Sequence, residues 1–342
     1  MTNPVLVEVT RGDLVESVHR GTVAIADAEG RIVFALGDID AVTYPRSSLK
    51  PVQALPLLES GAADAFGLTD KEVALACASH SGEPMHTTRV ANWLGKIGCT
   101  ENDLACGPHA VRYEPVWEEM VRLGEHPTRL HNNCSGKHAG FLTLARHLGV
   151  PVAGYERHDH PVQRAAAAAL GELAGIEGEL AWGVDGCAAP NFALPISAFA
   201  RALARLAHPD TLAPARARAA RRIVAAMIAY PELVAGTGRA CTILMRACAG
   251  RAAVKTGAEG YFAGIVPGIV PGLGLGVALK IDDGASRAAE TAMAAILDGL
   301  GLLGNAADAR AILRAPVVNT RDATVGERRP APALVLPASL RQ

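Results

Sequence analysis

The stretch Tyr44-Pro45-Arg46-Ser47-Ser48-Leu49-Lys50-Pro51 decides how the rest of the chain is interpreted. An apolar pattern typical of a helix follows it, so Ser47 is expected near a helix N-terminus with Lys50 about one turn further along. This spacing lets an uncharged lysine amine accept the proton of a serine hydroxyl. The stretch therefore predicts Ser47 as a nucleophile and Lys50 as its base. An N-cap serine followed by a surface lysine is the simpler alternative.

Composition limits the classes of function that fit the chain. Basic and acidic residues nearly cancel in the 342 residues, 33 against 34, which gives no reason to expect nucleic acid or an anionic membrane as a partner. No apolar run approaches the ~20 residues needed to span a bilayer, and the N-terminus lacks the pattern of a signal peptide. The seven scattered cysteines favour reduced thiols. We expect a cytoplasmic protein.

The order of strand-like and helix-like segments predicts the fold class. Residues 5–36 and 252–281 read as strands, the segments between them read mainly as helices, and a helix at 286–297 precedes a Pro-rich tail. We expect an α/β (α+β) fold, with one antiparallel sheet built from both ends of the chain, flanked by helices and carrying a helical insertion. The expected organisation is a single domain, 1–342, with a sheet region at about 1–45 and 250–342 and a helical region at about 46–249.

Two further polar segments fit the same chemistry as Ser47 and Lys50. A Ser79-His80-Ser81 loop follows a helix-like segment, and Lys255-Thr256-Gly257 lies in a predicted strand. The three pieces occur in the order that is seen in penicillin-recognising acylhydrolases, which combine S-x-x-K, a second serine loop and K-T-G. His80-Ser81 stands where class A β-lactamases have Asp-Asn, and a glutamate loop for deacylation is not evident. An ordinary capped turn remains the alternative for the serine loop.

Longer blocks make the resemblance more specific. The chain resembles the Rhizobium etli-type L-asparaginases, the asparaginase II family, over nearly its whole length. The blocks that carry the resemblance are Val7–Gly12, Pro45–Pro51, Ala78–Glu83, Asn132–His138, Asp185–Cys187, Pro231–Arg239 and Lys280–Gly284. The resemblance implies a serine β-lactamase/glutaminase-like fold, a homodimer, and hydrolysis of L-asparagine to L-aspartate and ammonia. It also implies two serine–lysine pairs, Ser47 with Lys50 and Ser79 with Lys255.

The same resemblance implies a metal site. Members of the family hold zinc through two cysteines and a lysine, which correspond here to Cys134, Cys187 and Lys137. Spacing alone predicts no such site, because the chain has no C-x-x-C pair and isolated buried thiols are more frequent. We therefore expect Zn²⁺ as a cofactor that shapes the pocket, since the serine already supplies the nucleophile.

The expected mechanism is acyl transfer through a serine ester. Ser47 attacks the side-chain amide after Lys50 takes its proton, and Ser79 with Lys255 relays a proton to the departing ammonia. The amino-acid end of the substrate needs charged partners. Arg46 is a candidate for the carboxylate. Glu83 and Asp185 are candidates for the amine, and Asn133 and His138 are candidates for orienting either group.

Two other functions remain open from the sequence. One is another Ser–Lys acylhydrolase, such as a glutaminase, an esterase or a β-lactamase-like enzyme, because one methylene in the substrate separates affinities by only ~1–3 kcal/mol. The other is a catalytically idle protein that binds an amino acid or zinc. The intact Ser47, Lys50, Ser79 and Lys255 argue against the idle protein.

Overall fold

A computed structural model describes residues 2–270 and 273–340 of the chain. The predicted single domain, 1–342, also includes residues 1, 271–272 and 341–342, which lie outside the described part. The chain divides into two compact units. The sheet unit comprises Met1–Ser48, Leu194–His208 and Ile243–Gln342, and the helical unit comprises Leu49–Ala193 and Pro209–Thr242. The single-domain organisation stays a prediction.

The strands, in chain order, are β1 (Val5–Arg11), β2 (Leu14–Asp27), β3 (Ile32–Leu36), β4 (Val42–Thr43), β5 (Trp182–Val184), β6 (Pro190–Phe192), β7 (Leu194–Pro195), β8 (Ala253–Thr256), β9 (Tyr261–Val270), β10 (Leu273–Ile281), β11 (Ala315–Val318) and β12 (Thr324–Pro330). The α-helices are α1 (Lys50–Gln53), α2 (Leu55–Glu59), α3 (Ala62–Ala65), α4 (Asp70–Ala76), α5 (Pro84–Lys96), α6 (Glu114–Leu123), α7 (Ser135–Leu148), α8 (Pro161–Ala174), α9 (Ile196–Ala207), α10 (Pro214–Ala229), α11 (Pro231–Val234), α12 (Ala240–Ala247), α13 (Ser286–Gly299) and α14 (Ala307–Leu313).

The sheet unit contains one antiparallel sheet drawn from both ends of the chain. Its strand order is β11-β12-β1-β2-β10-β9-β8, and β3 pairs with β2. The second half of β2 pairs with β3 as an antiparallel hairpin, in which Ile25 lies opposite Phe34. β10 pairs along the same half of β2. The predicted α/β (α+β) fold class, with its sheet built from both termini, is confirmed.

Helices cover both faces of this sheet. Gly276 of β10 lies directly beneath the backbone of α9, whereas Gly264 of β9 faces Met293 of α13. Gly264 is paired with Val277, the neighbour of Gly276, and successive strand residues point to opposite faces. The helices α9 and α13 therefore lie on opposite sides of the sheet. The sequence-based division placed residues 196–207 in the helical region, but α9 packs on β10, β2 and β9.

The chain after α13 differs from the predicted Pro-rich tail. It forms α14 and the strands β11 and β12, and β12 pairs with β1. The sequence Thr324–Pro330 carries charges at consecutive positions rather than alternating apolar residues, and Arg329 forms an ion pair with Glu8 of β1. A strand held by such cross-strand pairs gives no hydrophobic alternation, which is why the pattern did not reveal it.

In the helical unit, α4 carries the chain to the predicted serine loop. Thr69 and Glu72 form a capping box at the start of α4, and Glu72 also binds Arg89 of α5 at 2.8 Å. The helix packs against α7 and α10 and ends at Ala76. Residues 77–83, which we call the serine loop, then connect α4 to α5. A rigid helix on each side fixes both ends of this loop.

No helix of the described residues has the length and apolar character needed to cross a membrane.

Candidate active site

The first predicted segment, around Ser47, lies in the sheet unit beside the end of β8. Arg46 has a φ of 54°, a left-handed conformation that is uncommon for a residue with a side chain and often marks a functional site. Ser47 follows it in a short 3₁₀-helix and is half-buried. Ser48 Oγ donates a hydrogen bond to the carbonyl of Pro45 at 2.5 Å.

Glycine is required where β8 meets this segment. A Cβ at Gly257 would overlap the carbonyl oxygen of Pro45 and lie 3.3 Å from Ser48 Oγ. The Lys255-Thr256-Gly257 segment can therefore pack closely against the Pro45–Ser48 segment. Lys255 is buried, and its Nζ donates to the carbonyl of Thr256 at 2.6 Å. The sheet unit thus brings Ser47 and Lys255 into adjoining segments.

In the helical unit, a buried lysine contacts a serine hydroxyl. Lys50 is fully buried, and its Nζ lies 3.0 Å from Ser79 Oγ. The same nitrogen donates to the carbonyl of Ala78 and, at 3.5 Å, to the carbonyl of Asn133. Ser79 is also buried. A lysine held against a serine hydroxyl away from bulk water has the geometry to exchange a proton with it.

Main-chain hydrogen bonds hold the serine loop on both sides. The amide of Ser79 donates to the carbonyl of Val234 at 2.9 Å, and the amide of His80 donates to the carbonyl of Asn133 at 3.2 Å. The loop therefore lies between the end of α11 and the segment before α7. Three of the sequence blocks that are far apart in the chain, Ala78–Glu83, Asn132–His138 and Pro231–Arg239, therefore each supply one part of a single support.

His80 ties the serine loop to the N-terminus of α7. Its Nδ1 accepts from the amide of Gly82 at 3.2 Å, so the proton resides on Nε2, which donates to Ser135 Oγ at 2.9 Å. Ser135 Oγ in turn donates to the carbonyl of Leu130. Burial, followed by the charges of His86 and Lys50, holds the pKa of His80 well below its ordinary value. His80 is therefore a neutral structural residue at pH 7.

Glu83 holds the segment that follows α11. Its carboxylate accepts from the amide of Thr237 at 2.9 Å and from Thr237 Oγ1 at 2.6 Å. Gly236, with a φ of 121°, packs against the same carboxylate and against Ser81, and a Cβ there would lie 2.5 Å from both side chains. Both oxygens of Glu83 are thus engaged by the protein. Its predicted contact with the substrate amine stays a prediction, and Asp185 is the other candidate.

The three residues predicted to bind zinc lie together in the helical unit. Lys137 Nζ is 3.1 Å from Cys187 Sγ. The Cys134 thiol donates to Asn133 Oδ1 at 2.9 Å and is close enough to Cys187 to interact with it as well. The hydrogen bond to Cys187, with burial, raises the pKa of Cys134 to about 12, and the bond from Cys134 is the main cause of a lowered pKa at Cys187. Burial lowers the pKa of Lys137, but the two cysteines and Asp185 outweigh it and raise the pKa overall.

This donor set fits a thiophilic metal ion. Two thiols and an amine, all buried, meet at one point, and sulfur and nitrogen are ligands that Zn²⁺ accepts. Among the described residues no group of three His, Cys, Asp or Glu side chains has metal-binding geometry. The third donor here is a lysine, which must lose a proton before it can bind a metal.

His138 adds an unsatisfied donor close to the thiols. Tyr155 Oη donates to its Nδ1 at 2.6 Å, so Nε2 carries the proton, and Nε2 has no hydrogen-bond partner among the described residues. Burial and the charge of Lys137 lower the pKa of His138 to about 3. A neutral imidazole with a free N–H suits the predicted role of orienting a polar group, because an unpaired buried donor is costly.

The structure therefore places the predicted residues in two groups. In the sheet unit are Arg46, Ser47 and Lys255. In the helical unit are Lys50, Ser79, Glu83, Asn133, Cys134, Lys137, His138, Asp185 and Cys187. Sequence reasoning missed His80, Ser135 and Thr237 as supports of the serine loop. All three lie within the quoted blocks, so the signal was present, but their partners come from distant segments.

A buried lysine in contact with a serine hydroxyl is the arrangement used by hydrolases that act through a Ser–Lys pair. Comparison with protein families identifies the class of hydrolase more specifically than this arrangement does. Residues 7–330 match the family described as L-asparaginase II. The chain belongs to the L-asparaginase II family, a family of amidohydrolases, and the predicted resemblance is confirmed.

Other comparisons give weaker similarities. A search of curated proteins found no match. Among solved structures, the chain is similar to a protein named Mglu in its native form, with 17% identity over 82% of this chain and 63% of that chain and a TM-score of 0.46. It is also similar to a β-lactamase from Mycobacterium bovis, with 14% identity over 79% of this chain and 89% of that chain and a TM-score of 0.44. The chain thus spans less than two thirds of the Mglu chain.

Proposed function

We propose that this protein is an L-asparaginase that hydrolyses L-asparagine to L-aspartate and ammonia through a serine-bound acyl intermediate. Membership in the L-asparaginase II family supports the substrate and the reaction. The single structural observation that carries the proposal is the buried contact between Lys50 Nζ and Ser79 Oγ. The simpler alternative, an N-cap serine at Ser47 followed by a surface lysine, does not fit Lys50, which is fully buried.

The chemistry begins with proton removal from a serine. An uncharged lysine accepts the hydroxyl proton as the oxygen attacks the side-chain amide carbon, which gives a tetrahedral oxyanion. The proton then passes to the amide nitrogen, the C–N bond breaks, and ammonia leaves an aspartyl ester. Water attacks this ester, with the lysine again accepting a proton, and releases L-aspartate. General acid–base catalysis of this kind contributes about 10²–10⁴-fold.

Different observations support a catalytic role for each of the two serines, Ser47 and Ser79. Ser47 is the nucleophile predicted from the sequence, and the strained Arg46 before it supports a functional role for that turn. Ser79 is the serine that contacts Lys50. The pairing of Ser47 with Lys50 and of Ser79 with Lys255 stays a prediction from the family. Separate substitution of the two serines distinguishes their roles.

Zinc is the cofactor we propose, held by Cys134, Lys137 and Cys187. Bound there, the ion would supply a fixed positive charge that stabilises the two thiolates and holds the loop of Asp185 and Cys187 in place. Asp185 lies within electrostatic reach of Lys137 and Cys187. It is the other residue that we propose for binding the substrate amine beside the cluster. Asn133 and His138 are the proposed residues that orient the substrate.

A cytoplasmic homodimer is the proposed working state. All seven cysteines are buried and free, which supports a reducing compartment. The homodimer rests on the family resemblance alone. Light scattering coupled to gel filtration tests it, and a monomer at micromolar concentration contradicts it.

One assay tests the proposed function. Purified protein is incubated with L-asparagine, L-glutamine and a chromogenic ester, and ammonia, amino-acid product and chromophore are measured. We expect ammonia and L-aspartate in equal amounts from L-asparagine. A higher kcat/KM on glutamine or on the ester would assign the chain to another Ser–Lys acylhydrolase. Binding of L-asparagine without turnover would indicate a catalytically idle binding protein.

A further inference from the structure

Two arginines that the proposed mechanism does not use are anchored to the serine loop at the same residue. The amide of Arg112 donates to the carbonyl of Ser81 at 3.0 Å, and Arg239 Nη1 lies 3.4 Å from Ser81 Oγ. Ser81 is buried and is only two residues from Ser79. The two arginines come from separate parts of the helical unit, the segment before α6 and the segment after α11.

Their charges are not neutralised by the protein. No carboxylate forms an ion pair with either guanidinium among the described residues, although such pairs are common elsewhere in the chain, as between Arg216 and Glu59. The carboxylate of Glu83 binds Thr237 through both of its oxygens and forms no ion pair with either arginine. Partial desolvation and then the charge of Arg239 lower the pKa of Arg112, while Cys134 acts on it in the opposite direction. Both arginines are held at Ser81, Arg112 through its main-chain amide and Arg239 through its guanidinium.

Two adjacent cations without a counter-ion are an arrangement that an anion stabilises. A guanidinium binds a carboxylate through two parallel hydrogen bonds, and a pair of them gives both affinity and a fixed orientation. The anion that belongs beside an asparaginase serine is the α-carboxylate of the substrate, since it is separated from the reacting amide by only two carbons.

We propose that Arg112 and Arg239 form the site that binds the α-carboxylate of the amino-acid substrate. This inference rests on the proposed function and deepens it. It makes the enzyme selective for free amino acids, because an amide that lacks the carboxylate leaves the two cations unpaired. It also differs from the sequence-based prediction, which gave the carboxylate to Arg46.

The test compares L-asparagine with 3-aminopropanamide, which keeps the amine and the amide but lacks the α-carboxylate. For Arg112→Gln and Arg239→Gln we expect kcat/KM on L-asparagine to fall about 10-fold to 100-fold, mainly through KM, as for the loss of a charged hydrogen bond. On 3-aminopropanamide each variant should stay within about twofold of the wild type. Arg239→Lys should restore part of the lost activity on L-asparagine only.

Matched variants make the result specific. Arg122→Gln changes an exposed arginine of α6 that is paired with Glu119, and it should leave both substrates unaffected. Thermal unfolding of each variant shows whether the fold is kept. The proposal is overturned if kcat/KM falls equally on both substrates in Arg112→Gln and Arg239→Gln. It is also overturned if Arg46→Gln, instead of these two variants, loses activity on L-asparagine alone.

The proposal can fail separately from the proposed function. If the wild type releases no ammonia from any amide, the asparaginase activity is wrong, and binding of L-aspartate by calorimetry then tests the arginine pair. Weaker binding to Arg239→Gln than to the wild type, by about tenfold or more, supports the carboxylate site. Equal affinity, or no binding by the wild type, overturns it.

Discussion

Lys50 Nζ lies 3.0 Å from Ser79 Oγ, and both side chains are buried in the helical unit. The two residues are separated along the chain by α1 to α4, so the contact depends on the packing of that unit rather than on local sequence. A charge-bearing side chain is buried at such a position only when it has polar partners, and Lys50 has two carbonyls besides the hydroxyl. This contact underlies the first prediction.

Lys50→Met should abolish most of the asparaginase activity without unfolding the protein. Methionine has nearly the same length as lysine and suits a buried site, whereas the amine that moves the proton is lost. We expect kcat to fall by about 10²–10⁴-fold, measured as ammonia release from saturating L-asparagine. Lys96→Met, at an exposed position of α5, is the control and should keep full activity. A Lys50→Met enzyme with kcat within about threefold of the wild type contradicts the assignment.

Gly236 should be more sensitive to alanine than Gly238, although both lie in one short segment. Gly236 has a φ of 121°, and a Cβ there would collide with Ser81 and Glu83. Gly238 also has a positive φ, of 69°, but nothing lies within 4 Å of the position of its Cβ. We expect Gly236→Ala to lower the free energy of unfolding by at least about 2 kcal/mol and Gly238→Ala by about 1 kcal/mol. Urea unfolding measures both, and equal effects would show that the segment is not held against the serine loop.

Stability should fall as the pH drops below about 6.5, partly because of His80. Its pKa in the folded protein is well below the ordinary value, so the unfolded chain binds a proton that the folded protein does not. Acid therefore favours the unfolded state, with a slope of up to about 1.4 kcal/mol per pH unit from this residue. His80→Gln keeps a donor towards Ser135 and removes the titration. Its unfolding free energy should depend less steeply on pH between 7 and 5, and an unchanged slope contradicts the neutral, buried His80.

Zinc should bind to the wild type at one ion per chain and be lost in Cys134→Ser and Cys187→Ser. Cys248→Ser, which changes a buried thiol of the sheet unit, should bind normally. Because the Cys134 thiol and the Lys137 amine carry protons before the metal binds, binding should release about two protons per zinc. Calorimetry in buffers of different ionisation enthalpy counts them. Release of one proton would show that Lys137 is not a ligand.

The sequence predicted the main architecture because its signals are local. The strand-like segments of residues 5–36 matched β1, β2 and β3, and the helical pattern after Lys50 matched α1 and α2. The pattern did not reveal β12, because its pairing with β1 depends on charged cross-strand contacts, nor β11, which pairs with β12. The hydrophobic periodicity of residues 196–207 also could not show that α9 packs on the sheet. An apolar helix face does not identify the element that covers it.

The candidate site was predictable only in part, and for a physical reason. Quoted blocks named Ser79, Cys134 and Thr237, but a block does not show which distant side chain its residues contact. The contact between Lys50 and Ser79, the clamp of Glu83 on Thr237, and the two arginines at Ser81 join segments that lie far apart in the chain. Such contacts depend on tertiary packing, for which a single sequence carries no direct signal.

The most direct test of the account is the rate of ammonia release from L-asparagine by Ser79→Ala beside the wild type, Ser47→Ala and Ser60→Ala. Ser60 is exposed at the end of α2, so its substitution is the matched control. We expect full activity in Ser60→Ala and a loss of at least about 10²-fold in Ser79→Ala, with L-aspartate formed in step with ammonia by the active enzymes. Wild-type activity in Ser79→Ala would contradict the role assigned to the buried pair of Lys50 and Ser79.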